Sequence, residues 1–149
     1  MLFMKLSTKA RYGLRLMFQL ALKYGKGPVS LKDISRKEDI SEKYLSQIVI
    51  PLKARGLVTP IRGSSGGYLL AREPFAITVK DIVEVFEGNF TPVECTEHPS
   101  SCKRSGFCTA RKVWSILGDK MAETLNSLNL KDLVNMDEKN KEDFLDYSI

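Results

Sequence analysis

Between residues 8 and 24 the apolar residues Leu14, Leu16, Met17, Phe18, Leu20, Ala21 and Leu22 surround more than one face of a helix. A helix that is apolar on several sides is a buried one. The pattern therefore predicts packing against a second subunit or domain as well as the helix's own core. Ser7 or Thr8 supplies the N-cap, and Gly25 with Gly27-Pro28 ends the helix. A short helix is predicted over about residues 31–38. After Asp39-Ile40-Ser41 comes a longer one to about residue 55, with Ser41 as its cap. There Leu45, Ile48, Val49 and Leu52 recur at helical steps and form one apolar stripe, leaving Lys43, Tyr44, Ser46, Gln47 and Lys53 on the other faces. Pro51 removes a backbone hydrogen bond and is expected to bend this helix near Gln47, and Gly56 stops it. Residues 57–62 then read as a strand, Gly63-Ser64-Ser65-Gly66-Gly67 as a turn, and residues 68–71 as the returning strand.

Three helices followed by a hairpin is the order of a winged helix-turn-helix. The fold class expected is mainly α with a small β-hairpin wing and a long C-terminal dimerisation helix. Beyond Pro74, Thr78 with Asp81 three residues later resembles a capping box opening a helix to about Phe86. Residues 88–107 read as loop. A long helix is predicted over residues 109–128, where Trp114, Leu117, Met121, Leu125 and Leu128 advance at an average step of 3.5, the period of a seam against another helix. That stripe is the candidate dimerisation surface. From Asp137 apolar residues are too few to fold firmly, and a mobile tail is expected. The chain thus divides into a DNA-binding unit (1–73), a linker helix, cysteine loop and dimerisation helix (74–136), and an acidic tail (137–149).

Charge sharpens this division. Residues 1–72 carry 14 Lys/Arg against 4 Asp/Glu, a net of +10, while residues 73–149 carry 9 against 14, a net of −5. A basic half attracts phosphate through Coulomb forces and counterion release. No apolar run approaches the roughly 20 residues of a membrane span, and the opening residues lack a signal peptide's order. A cytoplasmic protein without membrane partners is expected. Enzymatic work is disfavoured: nucleophile elbow, P-loop and dinucleotide fingerprint are all missing, and one histidine offers little for acid–base catalysis.

In a helix-turn-helix the second helix enters the major groove with its early side chains at base edges. Gln47 can make a bidentate pair with adenine, while Lys43, Tyr44 and Ser46 reach bases or phosphates, with Lys53 further along. Ser7 and Lys9 stand where free helix N–H groups attract phosphate. Arg62, with Gly63 at the wing turn, is placed to enter a narrow minor groove.

The opening MKLSTKARYGLRLMFQLA, the segments Gly27-Pro28-Val29, Ile34-Ser35, Ser41-Glu42-Lys43-Tyr44-Leu45 and Leu57-Val58, and the wing Arg62-Gly63-Ser64-Ser65-Gly66-Gly67-Tyr68-Leu69-Leu70 resemble the Rrf-type winged-helix regulators over about residues 4–136. The resemblance implies a homodimeric transcription regulator, usually a repressor, on partly palindromic promoter DNA.

All three cysteines, Cys95, Cys102 and Cys108, fall within a 14-residue window. Soft thiolates select zinc, Cu(I) or iron–sulfur clusters, and a reducing cytoplasm disfavours disulfides. The cluster-binding members of the family are similar here, which implies that these cysteines hold a 2Fe–2S cluster. The carry-over breaks at the fourth ligand. Where one such member has histidine this chain has Arg111, and no Asp or Glu precedes Asp33 to serve as a partner-derived ligand, as in another. The sole histidine, His98, is the candidate within the loop, with water, an exogenous thiol or a backbone group as the alternatives. Zinc on a Cys₃His set is the rival metal, and direct thiol oxidation or control by a regulatory partner protein are the metal-free alternatives. An electron-transfer or cluster-carrier protein would leave the basic helix-turn-helix unused.

Overall fold

The computed structural model describes residues 6–148; the first five residues and Ile149, which the sequence reading assigns to the DNA-binding unit and the tail, lie outside them. Helix α1 (Thr8–Leu22) is the element the others surround. Its N-terminus is capped by Ser7, whose Oγ accepts from the Ala10 N–H, and it buries Ala10, Gly13, Leu16, Met17, Gln19, Leu20 and Ala21. α2 (Leu31–Glu38) and α3 (Glu42–Ala54) follow, each capped by a serine, Ser30 and Ser41. The chain then forms the hairpin of β1 (Val58–Ile61) and β2 (Gly67–Leu70), paired antiparallel with Val58 opposite Leu70. Val29 bridges to Tyr68 and gives the wing a third, one-residue strand.

That third strand explains a glycine of the turn. At Gly67 φ is +155°, and a Cβ there would overlap the backbone of Val29. Only glycine lets the two segments approach this closely.

A 3-10 turn (Pro74–Ala76) leads to α4 (Val79–Glu87), opened by the capping box of Thr78 and Asp81 that the sequence predicts. Then come the short α5 (Glu94–Glu97), a second 3-10 turn (Pro99–Ser101), α6 (Thr109–Asn126) and α7 (Leu130–Tyr147). Three of these elements correct the sequence reading, the first being α5, one helical turn within residues expected to be loop. α6 stops at Asn126, so Leu128 lies in the turn before α7. The segment expected to be a mobile tail is helical as far as Tyr147. Its cause lies upstream: Asn129 and Asp132 form a second capping box, and Leu130 and Val134 are buried. Once a first turn is nucleated and anchored, adding residues to a helix costs little even without further burial. An i,i+4 pair, Asp137 with Lys141 at 2.7 Å, supports the continuation.

The two capping-box turns lie side by side. Val79 N–H donates to the Leu128 carbonyl (2.8 Å) and Leu130 N–H to that of Ile77 (3.0 Å). This pairing joins the start of α7 to the start of α4, and α7 packs on α1 and the first 3-10 turn. The all-round apolar character of α1 is satisfied within one chain, since α2, α3, α4, α7 and β2 all pack against it. No second subunit is needed to explain it. The main core joins Leu16, Met17 and Leu20 of α1 to Ile34, Leu45, Ile48, Leu52, Leu57, Ile77, Ile82 and Leu130.

α1 and α4 meet at Gly13, where a Cβ would overlap the ring of Phe86. Alanine would gain about 1 kcal/mol in helix propensity at this position, but overpacking typically costs about 1–3 kcal/mol. Gly13→Ala is therefore expected to lower stability by about 1 kcal/mol or more in chemical denaturation, with Phe86→Leu in the same chain recovering the loss. A stabilised Gly13→Ala protein would show that α4 is not held against α1 in this way.

Candidate nucleic-acid interface and cysteine loop

Because Leu45, Ile48, Val49 and Leu52 point into the core, α3 turns Lys43, Ser46, Gln47 and Lys53 to the surface. Ser41 Oγ accepts from the Tyr44 N–H at 3.1 Å and fixes the first turn. The Ser46 hydroxyl donates to the Lys43 carbonyl at 2.6 Å, so its oxygen remains free to accept. Tyr44 differs from its neighbours. Its half-buried ring meets that of Tyr12 on α1 edge to face, with centroids 5.7 Å apart at 89°. The wing presents Arg62 and Gly63, both exposed.

Lys9 is exposed at the start of α1, as expected. Ser7 is not the open phosphate site that its position suggests. Its hydroxyl caps the helix, and its own N–H donates to Glu87 Oε1 at 2.6 Å. A carboxylate already stands at this helix end, leaving the side chains of Lys9 and the exposed Arg11 as the groups available to phosphate there.

Sequence reasoning missed a set of polar residues on α1. Arg15 Nε donates to Glu38 Oε2 at 2.7 Å, Arg15 Nη2 donates to the Glu38 carbonyl, and Gln19 Nε2 donates to Glu38 Oε1. Their signal was visible: Tyr12, Arg15 and Gln19 interrupt an apolar helix at positions i, i+3 and i+7.

The cysteine loop begins where α4 ends. Its first residues lie against α6 at the buried Gly118, where a Cβ would meet the Phe90 carbonyl and Pro92. Cys95 sits half-buried on α5, Cys102 is exposed after the second 3-10 turn, and Cys108 is the half-buried N-cap residue of α6. His98 is exposed at the end of α5. Arg111 Nε donates to the Cys95 carbonyl at 3.0 Å, which ties α5 to the first turn of α6. Among the described residues no three of His, Cys, Asp or Glu converge on one point as ligands of a single metal ion. Three soft thiols on short turns suit, by donor chemistry, either a sulfur-ligated iron centre or zinc.

The expected seam on α6 divides. Leu125 and Leu128 pack against Ala10, Val79 and Val83 of the same chain. Leu117 and Met121 are half-buried, while Trp114 is exposed together with Val113 and Ile116. Among the described residues no helix is long and apolar enough to cross a membrane.

A three-helix unit with a recognition helix and a hairpin wing, basic on its outer face, defines a winged-helix DNA-binding regulator. The family model described as Rrf2, iron-dependent transcriptional regulator, matches residues 6–136. The HTH-type transcriptional regulator CymR of Bacillus subtilis is 44% identical over 144 residues, covering 97% of this chain and 99% of that one. A solved structure of CymR, the global cysteine regulator of B. subtilis, superposes with a TM-score of 0.77 at 45% identity, over 90% of this chain and 98% of the other. The IscR of T. potens gives 0.76 at 39% identity, over 92% and 90%. The chain belongs to the Rrf2 family of transcriptional regulators. Its relatives are regulators, not enzymes.

Proposed function

We propose that this protein is a homodimeric, promoter-binding regulator of the cytoplasm, acting chiefly as a repressor, whose affinity for DNA is set by a 2Fe–2S cluster on Cys95, Cys102 and Cys108. The observation that carries the reading is the pairing of an exposed recognition face (Lys43, Ser46, Gln47) with a loop holding every cysteine of the chain. The iron-dependent description of the family and the likeness to IscR support it. When bound, such a cluster supplies a redox- and oxygen-sensitive link across the loop. The chain's own residues do the rest: Gly118 seats the loop root on α6, Arg111 fastens α5, and Glu87 joins the end of α4 to Ser7. The exposed Val113, Trp114 and Ile116, with Leu117 and Met121 beside them, supply an apolar strip for a second copy.

A second reading keeps the DNA function and dispenses with the cluster, leaving zinc, the thiols or a partner protein as the control. It is favoured by the 44% identity to CymR and by Arg111, which stands where a fourth ligand would be expected. Anaerobic purification with iron, sulfide and zinc analysis separates the two. The cluster reading expects about two irons and two sulfides per chain and visible absorption that Cys95→Ala, Cys102→Ala or Cys108→Ala each bleaches. A colourless protein, whether free of metal or carrying one tightly held zinc, would overturn the cluster reading and support the second.

The recognition face makes its own prediction. Gln47→Ala is expected to cost about 1–3 kcal/mol on a specific duplex and little on scrambled DNA. Lys9→Ala is expected to weaken both alike and to flatten the salt dependence by about one unit of slope. Arg62→Ala is expected to hurt most where the wing faces an A·T-rich minor groove. Equal losses on both duplexes for Gln47→Ala, read by fluorescence anisotropy, would remove α3 from the role of base reader.

A further inference from the structure

The turn of the helix-turn-helix is held from outside by one stripe of α1. Asp39, at the turn, has a left-handed backbone (φ 54°) with no glycine to relax it, and the turn spans only Asp39, Ile40 and Ser41. A non-glycine residue in this conformation persists where its surroundings fix it. On the α2 side those surroundings are Arg15 and Gln19. Both donate to the Glu38 carboxylate, and Arg15 also satisfies the Glu38 carbonyl, one of the groups a helix C-terminus leaves open. On the α3 side they are Tyr12 against Tyr44, three residues into the turn's far side. The Arg15 guanidinium lies 5.2 Å from the Tyr12 ring centroid and joins the two halves. Gln19 is buried and the Glu38 side chain is only 14% exposed, so the carboxylate is held on its sheltered side, although Arg15 itself is 42% exposed.

We propose that Tyr12, Arg15, Gln19 and Glu38 form a bracket that fixes the angle of α3 in the groove, and so determine base specificity without touching a base. They are positioning residues. The inference rests on the DNA-binding reading above. Its physical basis is that a small rotation of α3 misplaces Gln47 and Ser46 at the base edges. Phosphate contacts, made by long flexible side chains, tolerate the same rotation. Loss of the bracket therefore relaxes sequence discrimination and leaves backbone affinity in place.

The test starts with selection of duplexes from a random pool by the full-length wild-type protein. Binding of Glu38→Ala, Glu38→Gln and Tyr12→Leu to the selected duplex and to a scrambled one is then measured over several salt concentrations. Glu38→Ala and Tyr12→Leu are each expected to reduce the selected-to-scrambled ratio about tenfold, with scrambled binding and salt slope unchanged. Glu38→Gln keeps an acceptor for Arg15 and is expected to recover most of the ratio. The double variant Tyr12→Leu/Glu38→Ala is expected to lose less than the product of the single effects, because both act on one element. Equal falls on both duplexes would reveal a merely structural role through loss of folded protein, and would overturn the proposal. So would unchanged discrimination in Tyr12→Leu, the variant that leaves the Glu38 bonds in place should Glu38→Ala fail to fold. If the wild type enriches no sequence at all, the DNA-binding reading itself fails.

Discussion

The DNA-binding unit, α4 and α7 take their position from α1, a helix that must be covered on nearly every side. Its apolar residues satisfy that need within one chain, with α4 pressed on it at Gly13, α3 and α2 on another face, and α7 and β2 on the rest. A fully buried Leu or Met contributes about 1.5–3 kcal/mol. Leu16 and Met17 are wholly buried and Leu20 nearly so, which makes this helix the element around which the core is organised. The same helix carries, on its one polar stripe, Arg15 and Gln19 bonded to Glu38 beside the helix-turn-helix turn, and near its N-terminus the exposed Lys9 and Arg11. Packing, orientation and electrostatics are thus attached to one rigid rod.

That arrangement gives the cysteine loop a short physical route to the DNA-binding face. The loop starts from Gly88, immediately after Glu87, whose carboxylate accepts from the Ser7 N–H at the first turn of α1. On its other side the loop rests on α6 at Gly118 and ends at Cys108, where α6 begins. A change in the loop that moves the end of α4 therefore acts on α1 through one hydrogen bond and one tightly packed helix contact. Coupling between distant sites needs such an element, with differential contacts in two states.

The helix-turn-helix and wing were legible in the sequence because their signals are local. Ser41 caps, the stripe from Leu45 to Leu52 repeats at helical steps, and the turn glycines close a hairpin of two short strands. The Thr78–Asp81 box was equally plain. The residues from Asp137 were misread because their composition is polar, whereas the helix they continue depends on the capping box at Asn129 and on two anchoring side chains, Leu130 and Val134. The seam on α6 was half legible: periodicity identifies a face, but cannot tell packing within the chain, as at Leu125 and Leu128, from packing on another. Ser7 was read as a phosphate site because nothing in its neighbourhood of sequence announces Glu87, eighty residues away. The Glu38 bracket is invisible for the same reason. Each of its parts is an ordinary polar residue until the fold brings α1 and α2 together.

The central claim is that the state of the cysteine loop is felt at the recognition helix. The measurement that tests it most directly is the anaerobic affinity of the wild-type protein and of Cys102→Ala for the same selected duplex, at one salt concentration. Cys102 is exposed and the fold does not depend on its side chain. The account predicts affinities that differ by about 5- to 150-fold, the range typical of coupled sites. Identical affinities in folded proteins of equal activity for scrambled DNA would contradict it.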